Sequence, residues 1–165
     1  MRHTGDPEID IQLHKFGQNL REARQRAGLS QVRLGLRASL DRAAVSFLER
    51  AERSPDLPTI LRVARATGVK PAALLKDVSS IASGTRMPRD LSAPDADPAA
   101  RFGANLKWAR RRAVLSQEAL AYRAEVDRAA ISVFERGRRD PNLRTVLKLA
   151  RALELPPSVL LRGIE

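Results

Sequence analysis

The 165-residue chain contains no cysteine, only 4% aromatic residues, one tryptophan and two histidines. Without cysteine there is no disulfide framework, no thiolate zinc site and no sulfur nucleophile. So few aromatics leave no row of stacking platforms of the kind RNA-binding sheets present, and RNA is a poor candidate partner. His3 and His14 stand near the start with no metal-ligand spacing around them, so no metal is expected. Glycine-rich phosphate loops, a nucleophile elbow and convergent carboxylate pairs are all missing, which predicts no enzyme and no cofactor. No apolar run approaches the roughly 18 to 20 residues of a membrane span, and residues 1–7 lack the apolar stretch of a secretion signal. A cytoplasmic, nucleoid-associated protein with no membrane partner is the expectation.

Negative charge is also scarce. Nineteen Asp and Glu face 30 Lys and Arg, for a formal net charge of +11. That balance points to a polyanionic partner, and with 43% apolar residues the chain has enough to pack a core. The main organising feature is a repeat: residues 16–75 and 102–161 align at a constant offset of 86 with 32 identities over 60 positions. Each copy nets +6, from 11 basic and 5 acidic groups in the first and 12 and 6 in the second, so the positive charge resides in the repeats. Between them, Ser79-Ser80, Ser83-Gly84, Pro88, Pro94 and Asp95-Ala96-Asp97-Pro98 form a breaker-rich stretch. The predicted division is a first domain over 1–76 with its N-terminal extension, a flexible linker over 77–96 and a second domain over 97–165.

Within each copy the apolar residues recur at helical spacing, as in Phe16, Leu20, Ala23 and Ala27, repeated as Phe102, Leu106, Ala109 and Ala113. No segment alternates as a strand would. Asp6 before Pro7 and Asp97 before Pro98 read as N-caps of a first helix, Ser30 and Ser116 of a second, and Asp41 and Asp127 of a third. A fourth helix follows Pro55-Asp56 or Pro141-Asn142, and Pro71 or Pro157 opens a short fifth. Leu34, Leu48, Leu120 and Phe134 are assigned to the core, and Tyr122 to its periphery. The all-α unit so predicted joins its second and third helices by a very short turn, the outline of a helix-turn-helix whose second member enters the major groove of DNA.

A helical wheel on the third helix places Ala44, Val45 and Leu48 on the core side, with Ala43, Ser46 and Arg50 facing outward and Arg42 and Phe47 flanking them. Small residues permit close approach to base edges, and an arginine at the helix start can fork onto the O6 and N7 of guanine. The second copy repeats the pattern with Arg128, Ala129, Ser132, Val133 and Arg136.

The segments Leu115-Ser116-Gln117-Glu118-Ala119-Leu120-Ala121, Ile131-Ser132-Val133-Phe134-Glu135-Arg136-Gly137 and Leu147-Lys148-Leu149-Ala150-Arg151-Ala152-Leu153 resemble the Cro and phage-repressor helix-turn-helix family, also called the xenobiotic-response-element type. The first copy resembles it more loosely. The resemblance spans about 120 residues and implies two tandem five-helix, lambda-repressor-like DNA-binding domains. It also implies base readout by Arg42, Ala43 and Phe47 and by Arg128, Ala129 and Val133, with Ser46 and Ser132 on the same outward faces. Phosphate contacts are implied for Gln31 and Gln117, for Arg136, Arg138 and Arg139, and more weakly for Arg50 and Arg53. Structural ion pairs are implied between Arg24 and Glu49 and between Arg110 and Glu135.

Departures from the family pattern matter too. Ser39 and Glu125 occupy a turn position where glycine is common, and Ala51 replaces the glycine that the second copy keeps as Gly137. Glu52 stands where the second copy has Arg138, a charge reversal in a phosphate-facing loop, so the first copy is expected to be the weaker binder. The functional expectation is a sequence-specific regulator of transcription on double-stranded DNA, working as a covalent pseudo-dimer in which the linker supplies avidity without a dimer interface. The competing reading is a protein-interaction adaptor or antiactivator on the same scaffold, motivated by Phe47, Trp108 and the thin polar code at Ala43 and Ala129. For Trp108, packing on the other repeat, on a second chain of a homodimer, or on its own repeat's surface stay open. No small-molecule effector is evident.

Overall fold

The computed structural model describes residues 6–79 and 97–164. The described part of the first repeat comprises α1 (Pro7–Arg26), α2 (Gln31–Ala38), α3 (Arg42–Glu49), α4 (Leu57–Thr67) and α5 (Pro71–Leu74). The second comprises α6 (Pro98–Arg112), α7 (Gln117–Ala124), α8 (Arg128–Glu135), α9 (Leu143–Ala152) and α10 (Pro157–Leu160). Most of the predicted linker, and His3, lie outside the described residues.

Helix starts follow local chemistry. Side-chain oxygens of Asp6, Ser30, Asp41, Asp56, Ser116, Asp127 and Asn142 each accept from a backbone N–H of the first turn, satisfying donors the helix itself cannot. Asp97 occupies the cap of α6 without a side-chain hydrogen bond. The stops are sharper than the composition suggests: Ser39, Ala51, Val114 and Glu125 all take the left-handed conformation without being glycine. Such a residue costs on the order of 1 kcal/mol, which the packing on both sides of these tight turns must offset.

In each repeat α1 or α6 packs on the recognition-position helix, α3 or α8, through a glycine. A Cβ at Gly17 would sit 2.6 Å from the Glu49 carbonyl oxygen, and one at Gly103 2.3 Å from that of Phe134. Only a bare Cα permits helices this close, and Phe16 and Phe102 beside them are buried, Phe102 meeting Phe134 edge to face at 6.3 Å. The Asn19 side chain donates to the carbonyls of Leu74 and Lys76, and Asn105 to those of Leu160 and Arg162. Two carbonyls at the end of each fifth helix are thereby tied to the first helix, since helix ends leave such acceptors open.

The repeats also pack on each other, which corrects the expectation of tethered heads with no interface. Leu57 N donates to the Pro141 carbonyl at 3.0 Å, and Leu143 N donates to the Pro55 carbonyl at 2.7 Å. The two bonds exchange residues at the same offset of 86, and the antiparallel bridge between Asp56 and Asn142 lies between them. That reciprocity is the signature of a two-fold relation between the copies. Around it, α1 meets α9, α4 meets α6 and α5 meets α10, and the buried residues of both copies form one continuous apolar cluster.

The N-terminal part of α1 makes this interface lopsided. Asp6 pairs with Arg151 at 2.7 Å and Asp10 with Arg144 at 2.8 Å, while the Arg144 N–H donates to Ser54. Ile9 and Leu13 are buried beneath these ion pairs. The physical cause is α1's extra length at its start, five residues longer than α6 overall, 20 against 15.

Candidate nucleic-acid interface

Asp41 and Asp127 start α3 and α8 and fix which face each presents. Val45 and Leu48 are buried on one side, as are Ile131 and Phe134 on the other helix. Arg42 and Ala43 are exposed at the start of α3, Ser46 and Phe47 are half-buried, and Arg50 at its end is exposed. In α8 the corresponding Arg128 and Ala129 are exposed, Ser132 and Val133 half-buried and Arg136 exposed. Each helix therefore offers an arginine at either end of a face of small residues, a surface able to approach base edges closely.

Behind these helices sit two equivalent ion-pair networks. The Arg24 guanidinium donates to Glu49 Oε1 at 2.5 Å and Oε2 at 3.1 Å, and a third donor reaches the Leu29 carbonyl. Arg110 does the same to Glu135 at 2.6 and 3.0 Å and to the Leu115 carbonyl. Both glutamate side chains are only 4% exposed. Gln31 and Gln117 each donate to the same Oε2 that the arginine's second bond reaches, at 2.9 and 2.8 Å. The two glutamines are thus held in the networks at the start of α2 and α7, with no phosphate contact needed to position them.

Burial pushes the Glu135 carboxyl up, but hydrogen bonds from Arg110 and Gln117 and the charges of Arg110 and Lys107 outweigh it and hold the carboxyl below its ordinary range. At the repeat interface the same balance, with Arg151 and the Ile9 N–H as partners, lowers Asp6. Depressed carboxylates contribute stability that is complete above the unfolded-state pKa, about 4.3 for Glu and 3.9 for Asp, and is lost as pH falls through the folded value. Melting temperature is expected to drop as pH falls below about 4. Glu135→Gln should flatten that drop in thermal melts, and an undiminished slope in the variant would contradict the assignment.

The two heads differ most just after the recognition-position helix. In the first, Arg50 is held by Glu52 at 2.6 Å and by Ser46 Oγ at 2.5 Å. Arg50 and Arg53 also lie over the Phe47 ring at 5.4 and 5.1 Å. Any phosphate must compete with Glu52 and with these ring contacts for the same guanidinium groups. In the second, the side chains of Arg138 and Arg139 are exposed and make no hydrogen bond or ion pair among the described residues, and the Arg136 side chain donates only to the Ser132 carbonyl of its own helix.

Two assignments need correction or completion. Tyr122 is 87% exposed, not peripheral core, and Leu36 at the same position of the first repeat is 77% exposed. Short α7 spends its buried positions on Leu120, Ala121 and Ala124, and among the described residues no element covers its outer side. Trp108 is half-buried on its own repeat, with Arg112 over its ring at 5.7 Å. Among the described residues no cluster of potential metal ligands exists and no helix is long and apolar enough to cross a membrane.

Comparison with known proteins agrees with this division of the chain. Residues 20–74 match a family model described as helix-turn-helix, and residues 101–162 match another described as helix-turn-helix domain. A search of curated proteins finds no match. Among solved structures, the chain is similar to the restriction-modification controller protein C.AhdI from Aeromonas hydrophila, with 45% identity over 38% of this chain and 94% of that one, at a TM-score of 0.37. It is also similar to the hypothetical transcription factor NHTF from Neisseria, with 32% identity over 46% of this chain and 86% of that one, at a TM-score of 0.41.

Proposed function

The chain belongs to the helix-turn-helix family as two tandem domains of the Cro and phage-repressor type, and from that premise we propose that this DNA-binding transcription regulator acts as a covalent pseudo-dimer, with α3 and α8 in successive major grooves of one duplex. One observation carries the reading: the reciprocal bonds Leu57 to Pro141 and Leu143 to Pro55, which relate the two heads by a two-fold. A two-fold relation is what matches a pair of inverted half-sites about one helical turn, roughly 34 Å, apart. Arg42 and Arg128 read guanine at the near end of each site, and the alanines and Phe47 or Val133 meet thymine methyl groups. Arg136, Arg138 and Arg139 hold phosphates in the second head. Arg50 and Arg53 do so less well in the first, because Glu52 already engages Arg50. Phe47 gives the adaptor reading little to work with, since two guanidinium groups cover its ring.

Site selection from random duplexes, followed by footprinting at known stoichiometry, tests this. One chain should protect two half-sites, and protection of a single half-site at saturation would refute the two-headed mode. Arg128→Ala should lose about 1 to 3 kcal/mol of affinity and relax the preference at one base pair. An equal loss on all sequences would reassign Arg128 to phosphate.

A further inference from the structure

Beside α8 the second repeat carries a set of residues that the first does not share. Lys107, Trp108, Arg111 and Arg112 of α6 and Arg136 at the end of α8 line an open cleft of about 780 Å³. The single carboxylate there, Glu135, is hydrogen-bonded by Arg110 and Gln117 and feels the Lys107 charge only through space, so four exposed cations share one carboxylate that Arg110 already pairs. At the same positions of the first repeat Glu22 replaces Trp108, Gln25 replaces Arg111, and Arg50 is occupied by Glu52.

We propose that this cleft grips the DNA backbone flanking the second half-site, with phosphates on Lys107, Arg111 and Arg136 and a sugar face against Trp108. The proposal rests on the DNA-binding reading above. Its position follows from Gly103, which holds α6 against the Phe134 and Glu135 carbonyls, so that the cleft continues directly from the exposed end of α8 through their shared Arg136. Lys107 and Arg111 are four residues apart on one helix face, about 6 Å along its axis, a separation suited to neighbouring phosphates of one strand. Trp108 presents a flat apolar surface beside them, with Arg112 already seated over its ring. The second head is thereby the anchor, and its footprint extends past the bases that α8 reads.

Trp108 is the only tryptophan, so its emission reports on this cleft in the full-length protein. A duplex carrying the selected site and several flanking base pairs should change that emission, and a duplex trimmed at the outer edge of the second half-site should not. Lys107→Gln with Arg111→Gln, both exposed and on a helix surface, should keep the helical circular dichroism. The slope of log affinity against log salt should then flatten by about 1.8, two released contacts at about 0.9 each. If duplex still shifts in a gel while the slope and the emission stay unchanged, the cleft is not a backbone site, though the DNA reading stands. If inorganic phosphate or a mononucleotide alone saturates the emission change, the cleft is a small-anion pocket and the proposal is overturned. A wild-type protein that shifts no duplex at low salt would instead sink the reading on which it rests.

Discussion

Arg110→Ala is expected to cost about 3 to 5 kcal/mol of folding stability, the penalty for leaving a buried charge without its partner. Glu135 is 4% exposed and receives two bonds from Arg110 and one from Gln117. Once the guanidinium is gone, one neutral amide and the through-space charge of Lys107 must support a carboxylate that is 4% exposed. The Leu115 carbonyl loses its donor as well, at the turn where Val114 already holds a left-handed conformation. A loss of that size is a large share of the 5 to 15 kcal/mol that stabilises a typical domain. Because the buried cluster runs through both repeats, the denaturation midpoint of the whole molecule should fall as one transition. Arg110→Leu combined with Glu135→Leu removes both charges and should be markedly less destabilised than Arg110→Ala in urea titrations. A double variant as unstable as the single one would show that the ion pair is not the cause.

The second large effect concerns DNA geometry. Inserting five base pairs between the selected half-sites turns one of them to the opposite side of the duplex, about half a helical turn away. The heads are clamped by reciprocal backbone bonds, by Asp6 and Arg151 and by Asp10 and Arg144, so they cannot follow. Affinity should fall by about 100-fold or more, the range by which two linked sites exceed one. Ten added base pairs should restore the face but not the distance, and affinity should stay low. Heads joined only by an extended linker would tolerate the longer spacing. Gel-shift titrations over such a spacing series decide between the two, and full binding at both insertions would disprove the clamped arrangement.

Most of the fold was legible in the residues because it is written locally. The Asp and Ser caps, the prolines at helix starts and the offset of 86 are short-range signals, and the structure realises the helices they mark. The packing of one repeat on the other was not legible. Its central contacts use the backbone of Pro55, Leu57, Pro141 and Leu143, residues that in sequence read only as the entry to a helix. Asp6 likewise reads only as a helix cap, and nothing local names Arg151 as its partner or Arg144 as that of Asp10, 134 or more residues away. Asn19 and Asn105 resemble surface polar residues until the end of the fifth helix is seen beneath them. Tyr122 misleads in the other direction: its type suggests burial, but a helix of eight residues has few inward positions and three smaller or more apolar neighbours take them. The outward face of α3 and of α8 was the most legible part, since a start cap and a helical period settle which residues point away from the core.

The seam at Asp56 and Asn142 has a quantitative consequence for control. A regulator assembled from separate subunits must find its mate before it finds its target, so occupancy at scarce copy number climbs with the square of concentration. In the proposed pseudo-dimer the mate is always present, and occupancy of its target should climb in simple proportion to the number of molecules made. The response such a pseudo-dimer imposes should be graded from the first copies onward, without a threshold set by subunit pairing.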